Sequence, residues 1–90
     1  MRKKIAVLVR DRQGEALRMA LGLVLADDIV DVYVLDRKLA DTQDNQLYLA
    51  TLKEFEFRIF TDQPENEGLE YLSAEEMARR LPSYDHTLPY

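Results

Sequence analysis

Apolar positions fall in short blocks divided by charge, and the spacing inside each block predicts its element. Ile5-Ala6-Val7-Leu8-Val9 is an unbroken apolar run closed by Arg10-Asp11-Arg12. A run of that length without polar alternation suits a strand covered on both faces, as in a parallel sheet. From Gln13-Gly14-Glu15 a helix is expected to about Ala26. It carries Ala16, Leu17, Met19, Ala20, Leu21, Leu23, Val24 and Leu25, and leaves only Glu15, Arg18 and Gly22 as a polar or bare stripe. Successive residues turn by about 100°, so these side chains cannot all reach one sheet. A neighbouring helix or another subunit must cover the remainder.

Asp27-Asp28 forms a turn, and Ile29 to Leu35, rich in β-branched residues, reads as a second strand ending in Asp36-Arg37-Lys38. Leu39 to Asn45 reads as a polar loop, followed by a helix over Gln46 to Phe55. A third strand, Phe57 to Thr61, ends at Asp62. After the loop Gln63 to Gly68 comes a short extended piece, Leu69 to Leu72. Ser73-Ala74-Glu75-Glu76 has capping-box spacing. It opens a one-sided helix with Ala74, Met77, Ala78 and Leu81, which Pro82 stops. The segment Tyr84 to Tyr90 is expected as a last strand, with Pro89 putting it at an edge or falling at a strand end. Such alternation predicts one α/β domain over residues 1–90. Its expected form is a three-layer α/β/α sandwich on a short, mainly parallel sheet of about four to five strands.

Composition narrows the chemistry. The chain has 90 residues, no Cys and one His. Disulfides are excluded and a structural zinc site is disfavoured. A domain this small has a thin core, which leaves oligomerisation as the common remaining support. There are 17 Asp and Glu against 12 Lys and Arg, a balance that argues against nucleic acid as a partner. Ile5 to Val9 is too short for a secretory apolar region, and no apolar stretch approaches a membrane span, so a cytoplasmic protein is expected.

In an open parallel sheet, ligands bind beyond the carboxyl ends of the strands. Those ends hold Arg10-Asp11-Arg12, Asp36-Arg37-Lys38, Thr61-Asp62 and the loop Gln63 to Gly68; Arg10, Asp11, Arg12, Asp36 and Asp62 are the candidate ligand-binding residues. One reading makes Asp11, Asp36 and Asp62 a Mg²⁺ or phospho-acceptor site. A receiver-type site would add a Lys at a late strand end and a second acid beside Asp11, and both are missing. Another reading makes Arg10, Arg12 and the first amides of the first helix an anion site. With three Gly in the whole chain and no glycine-rich phosphate loop, no nucleotide cofactor is expected. His86 and Asp85 are neighbours on a strand and point to opposite faces, so they form no dyad. No catalytic residue and no metal site is assigned. The tyrosines and phenylalanines read as core or subunit interface.

Lys4-Ile5-Ala6-Val7-Leu8-Val9-Arg10, Glu15 to Leu23 and Val32-Tyr33-Val34-Leu35-Asp36 resemble the opening of DsrE-like proteins of the DsrE/DsrF/DsrH sulfur-relay superfamily. Gly68 to Ser73 and Tyr84 to Tyr90 fit the same pattern. The resemblance implies a flavodoxin-like sandwich that forms homo- or hetero-oligomers. In active members a cysteine in the region after the third strand carries persulfide sulfur. The corresponding stretch here, Thr61 to Asn66, has no Cys, and a persulfide requires a thiolate. The expectation is therefore a non-catalytic member that assembles with itself or with a Cys-bearing DsrE-like partner. Met19, Gly22 and Leu23 of the first helix are the expected interface residues. The alternative is a small-molecule or anion-binding domain using the strand ends.

Overall fold

The computed structural model describes residues 3–23 and 28–90. The elements in chain order are β1 (Lys4–Val9), α1 (Gln13–Gly22), β2 (Ile29–Val34), α2 (Gln43–Glu54), β3 (Arg58–Thr61), β4 (Glu70–Tyr71), α3 (Ala74–Arg80), a 3₁₀ turn (Leu81–Ser83) and β5 (His86–Pro89). The sheet has five strands in the order β4-β3-β2-β1-β5, and every pairing is parallel. Val7 lies between Val32 and Leu88, and Tyr33 lies beside Phe60.

Strand alternation sends the apolar runs to two different cores. Ile5, Val7, Val9, Val30, Val32, Val34 and Ile59 pack with Ala16, Leu17 and Ala20 of α1 and Leu52 of α2. Ala6, Leu8, Tyr33, Leu35 and Phe60 point the other way and pack with Leu72 and Met77. This is the expected three-layer sandwich. Its handedness follows from the connections: β1-α1-β2 and β2-α2-β3 step in the same direction, so right-handed crossovers place both helices on one face. The return from β4 through α3 to β5 runs the opposite way and puts α3 on the other. The flavodoxin order is 2-1-3-4-5; here the direction reverses between β1 and β5.

Helix ends are set by local bonds that apolar spacing does not reveal. α2 begins at Gln43, a turn before the expected start at Gln46, because the Thr42 hydroxyl accepts from the Asn45 amide. Gln43-Asp44-Asn45 is polar and carries no helical periodicity of its own, which is why it reads as loop. At the other end, the amides of Glu56 and Phe57 donate to the carbonyls of Lys53 and Leu52 at 3.0 Å, with Glu56 left-handed at φ 63°. That is a Schellman stop built without glycine. The Ser73 capping box is formed as its spacing predicts. Within the described residues α1 ends at Gly22 and Leu23; Val24, Leu25, Ala26 and Asp27, assigned above to the helix and its turn, lie outside them.

The covering demanded by the apolar first helix comes in part from α2, which packs beside α1. Leu17 is fully buried, Leu21 and Leu23 are half-buried against the core, and Met19 remains 39% exposed. β5 is an edge strand and Pro89 is its last residue, so both positions open to a proline are taken. The Tyr90 amide bonds to the Leu8 carbonyl of β1, so by alternation residues 87 and 89 face outward, and Pro89 offers no N–H there. No helix among the described residues is long and apolar enough to cross a membrane.

Candidate functional site

The carboxyl ends of β1, β2 and β3 meet around the segment that joins β2 to α2, and three amide side chains hold that segment. Gln13, in the first turn of α1, donates to the Lys38 carbonyl (3.3 Å) and accepts from the Ala40 amide (2.9 Å). Asn66, from the loop after β3, accepts from the Leu39 amide at 2.8 Å. It donates to Thr61 Oγ1 (2.9 Å) and more weakly to the Arg37 carbonyl (3.4 Å). Thr61, fully buried, donates in turn to the Val34 carbonyl at 2.8 Å. Asn45 closes the set by donating to the Ala40 carbonyl at 3.0 Å. Asn66, buried and bonded through both ends of its amide, fixes with Gln13 and Asn45 a loop that would otherwise leave backbone groups unpaired.

Above this base lies the charged rim. Asp36 takes a left-handed conformation, φ 72°, at the end of β2, one that Asp tolerates better than most residues. Its carboxylate pairs with Arg10 Nε at 2.9 Å, and its amide donates to Asp62 Oδ1 at 2.9 Å. Gln63 also donates to Asp62 Oδ1, at 3.2 Å. Arg37 pairs with Asp11 at 2.8 Å. Arg12 turns away from the others: its guanidinium reaches Glu15 (3.4 Å) and lies 5.3 Å from the Tyr90 ring centre.

The structure therefore joins Arg10, Asp36 and Asp62, puts Asp11 against Arg37, and leaves Arg12 outside. Asp11 is engaged with Arg37 and does not join Asp36 and Asp62, so the placement of the three carboxylates does not favour the Mg²⁺ reading weighed above. Among the described residues no three carboxylate or imidazole groups come together in cation-binding fashion. The pairs are exposed, so each contributes at most about 1 kcal/mol. Their effect is to balance charge: an anion approaching Arg10 competes with Asp36, and a cation approaching Asp11 competes with Arg37.

Two clefts flank the held segment. One, of about 460 Å³, has Leu39, Leu49 and Leu69 among its walls and Asp41, Glu65 and Glu67 among its acids. The other, of about 580 Å³, opens between the first turns of α1 and α2, with Gly14, Arg18, Asp44 and Tyr48 around it. Gln13 and Asn45 were not singled out by sequence reasoning; Arg37, Thr61 and the loop that holds Asn66 were placed at the strand ends without a role. Their signal is weak, because an amide in a polar loop reads as ordinary turn chemistry until a partner some 27 residues away in the chain is known.

A second polar cluster lies on the α3 face, toward the opposite end of the sheet. The Tyr84 hydroxyl donates to the Asp31 carboxylate and lies 2.8 Å from the Tyr33 hydroxyl. Asp31 is 7% exposed and Tyr33 fully buried. Burial, together with the acceptor carboxylate, pushes the Tyr84 phenol far above its ordinary range. A charged residue inside the run Ile29 to Leu35 is the sequence signal for this cluster. The Asp85 carboxylate accepts from the Lys4 amide at 2.8 Å, and His86 is exposed on β5. Of the expected interface residues, Met19 and Gly22 are exposed, and a Cβ on Gly22 would meet nothing within 4 Å; Leu23 packs inward.

No protein-family model matches this chain, and no curated protein and no solved structure matches it either.

Proposed function

We propose that this chain is a non-catalytic DsrE-like domain that acts by assembly, with further copies of itself or with a cysteine-bearing partner of the same family. The observation that carries the reading is the outer surface of the helical layer. Met19 on α1 is 39% exposed, and on α2 Leu47 is 62% and its capping residue Phe55 is 55% exposed. Each large apolar side chain left in water forgoes about 1.5–3 kcal/mol of burial, a large share for a 90-residue domain. The strand-end rim supports the same reading, since its charges are engaged with one another. A domain without a thiolate would contribute surface and geometry to a sulfur relay, with the sulfur carried on the partner's cysteine.

Light scattering on a size-exclusion column tests self-assembly. A mass above that of the 10.5 kDa chain at tens of micromolar is expected. Leu47→Glu or Phe55→Glu should lower it, because a desolvated carboxylate is costly at an interface. A monomer that also fails to co-elute with a cysteine-bearing DsrE-like protein would overturn the proposal.

A further inference from the structure

Two guanidinium groups share one aromatic ring on the α3 face. The central carbons of Arg58 and Arg80 lie 4.9 and 5.0 Å from the centre of the Phe60 ring. Tyr33 stacks on that ring from the β2 side, centres 5.0 Å apart and planes 32° apart. Tyr33 and the two guanidinium groups thus crowd around one ring. Phe60 is wholly buried beneath them.

Cation–π attraction explains either arginine alone. It does not explain the pair, because the second guanidinium is repelled by the first. Among the described residues one carboxylate lies within ion-pair distance of the two. It is Glu70, 3.7 Å from Arg58, and Arg80 meets none. Positive charge is thus concentrated and under-compensated at one place, on a chain whose net charge is −5.

We propose that Arg58 and Arg80 form an anion clamp that takes a small dianionic oxyanion, phosphate or sulfate, over the Phe60 ring. A guanidinium over a ring can still turn its N–H edges outward; among the described residues that of Arg80 meets no carboxylate, and that of Arg58 meets Glu70 alone, at 3.7 Å. Those edges match two oxygens of one oxyanion. The ring holds both stems in place beforehand, so less side-chain freedom is lost on binding. The clamp shares no residue with the strand-end rim and does not depend on the assembly reading.

The test is thermal unfolding of the full chain in millimolar phosphate or sulfate against chloride at matched ionic strength. This lies below the concentrations at which such salts act by exclusion from the surface. At ligand ten times the dissociation constant, the folded-to-unfolded ratio rises about tenfold. Both oxyanions should raise the melting temperature over chloride. Arg58→Gln and Arg80→Gln should each remove that rise, and Arg80→Lys should retain part of it. A double variant of the rim, Arg10→Gln with Arg12→Gln, should keep it in full. Phosphate should also shift the Nε resonances of Arg58 and Arg80 in the unaltered protein, a readout that needs no variant to fold. Equal melting temperatures in phosphate and chloride, or unmoved Nε resonances, would overturn the clamp. So would a response that survives Arg80→Gln and vanishes in the rim variant.

Discussion

The two faces of the sheet are held by different chemistry. On one, α1 and α2 lie side by side over a floor of Val7, Val9, Val32, Val34 and Ile59; the buried contacts are aliphatic, and Tyr48, Phe57 and Tyr90 join only at the margin. On the other, a helix of seven residues and a 3₁₀ turn must cover the same strands. There the sheet offers Tyr33, Phe60 and Asp31, and the cover is completed by polar and cationic contacts: Tyr84 on Asp31, Lys4 over Tyr84, Arg58 and Arg80 over Phe60. Two helices can bury their faces by area alone. One short helix cannot, so aromatic rings, hydroxyls and arginine stems do the covering. The second face is accordingly the one on which alkaline pH is expected to act, through Tyr84.

The largest expected effects set the two cores against each other. Leu52→Ala, under α2, should cost about 2–5 kcal/mol in urea unfolding. Met77→Ala, under α3, should fall at the low end of that range, because a short helix can settle into the space. Equal costs would remove the distinction in packing.

Next comes the latch. Tyr84→Phe takes away the hydroxyl that donates to the buried Asp31 and should cost about 1–3 kcal/mol at neutral pH. The same variant sharpens the pH contrast. The folded-state pKa of Tyr84 is raised, so its contribution is fully present below the ordinary tyrosine value near 10 and is lost as pH rises above it. There the unfolded chain releases a proton that the folded one keeps. Wild-type stability should therefore fall with rising alkalinity more steeply than that of Tyr84→Phe; parallel alkaline limbs would remove Tyr84 as the cause.

Helix caps test whether α3 is the weaker cover. Ser73→Ala and Thr42→Ala each delete one side-chain cap, at about 1 kcal/mol. Hydrogen exchange should speed up across all of α3 in the first variant, and only in the first turn of the longer α2 in the second. The smallest effect belongs to the rim: Arg10→Ala breaks an exposed pair and should change stability by no more than about 0.5 kcal/mol.

Much of this was legible in residue order because the relevant forces are local. The buried strands announce themselves by unbroken apolar runs, and α3 by Ser73 and Glu76 at capping distance. The start of α2 was missed because Thr42 works through one backbone bond and leaves no periodic trace. The rim residues were legible as a group, since strand ends carry charge, but their partners were not. Arg10 could have faced Asp11 or Asp62 as readily as Asp36. The choice depends on which strand ends adjoin and on the left-handed turn at Asp36.

By itself the sequence determined which segments become strands and helices, that the sheet is buried on both sides, and that no thiolate is at hand. These depend on side-chain type and on spacing within a few residues. The tertiary structure alone decided that β5 lies beside β1 and β4 beside β3, that α2 covers α1, and that Arg58 and Arg80 converge on one ring. Those outcomes join residues far apart in the chain. They follow from the handedness of crossovers and the close packing of faces, which no short window of sequence contains.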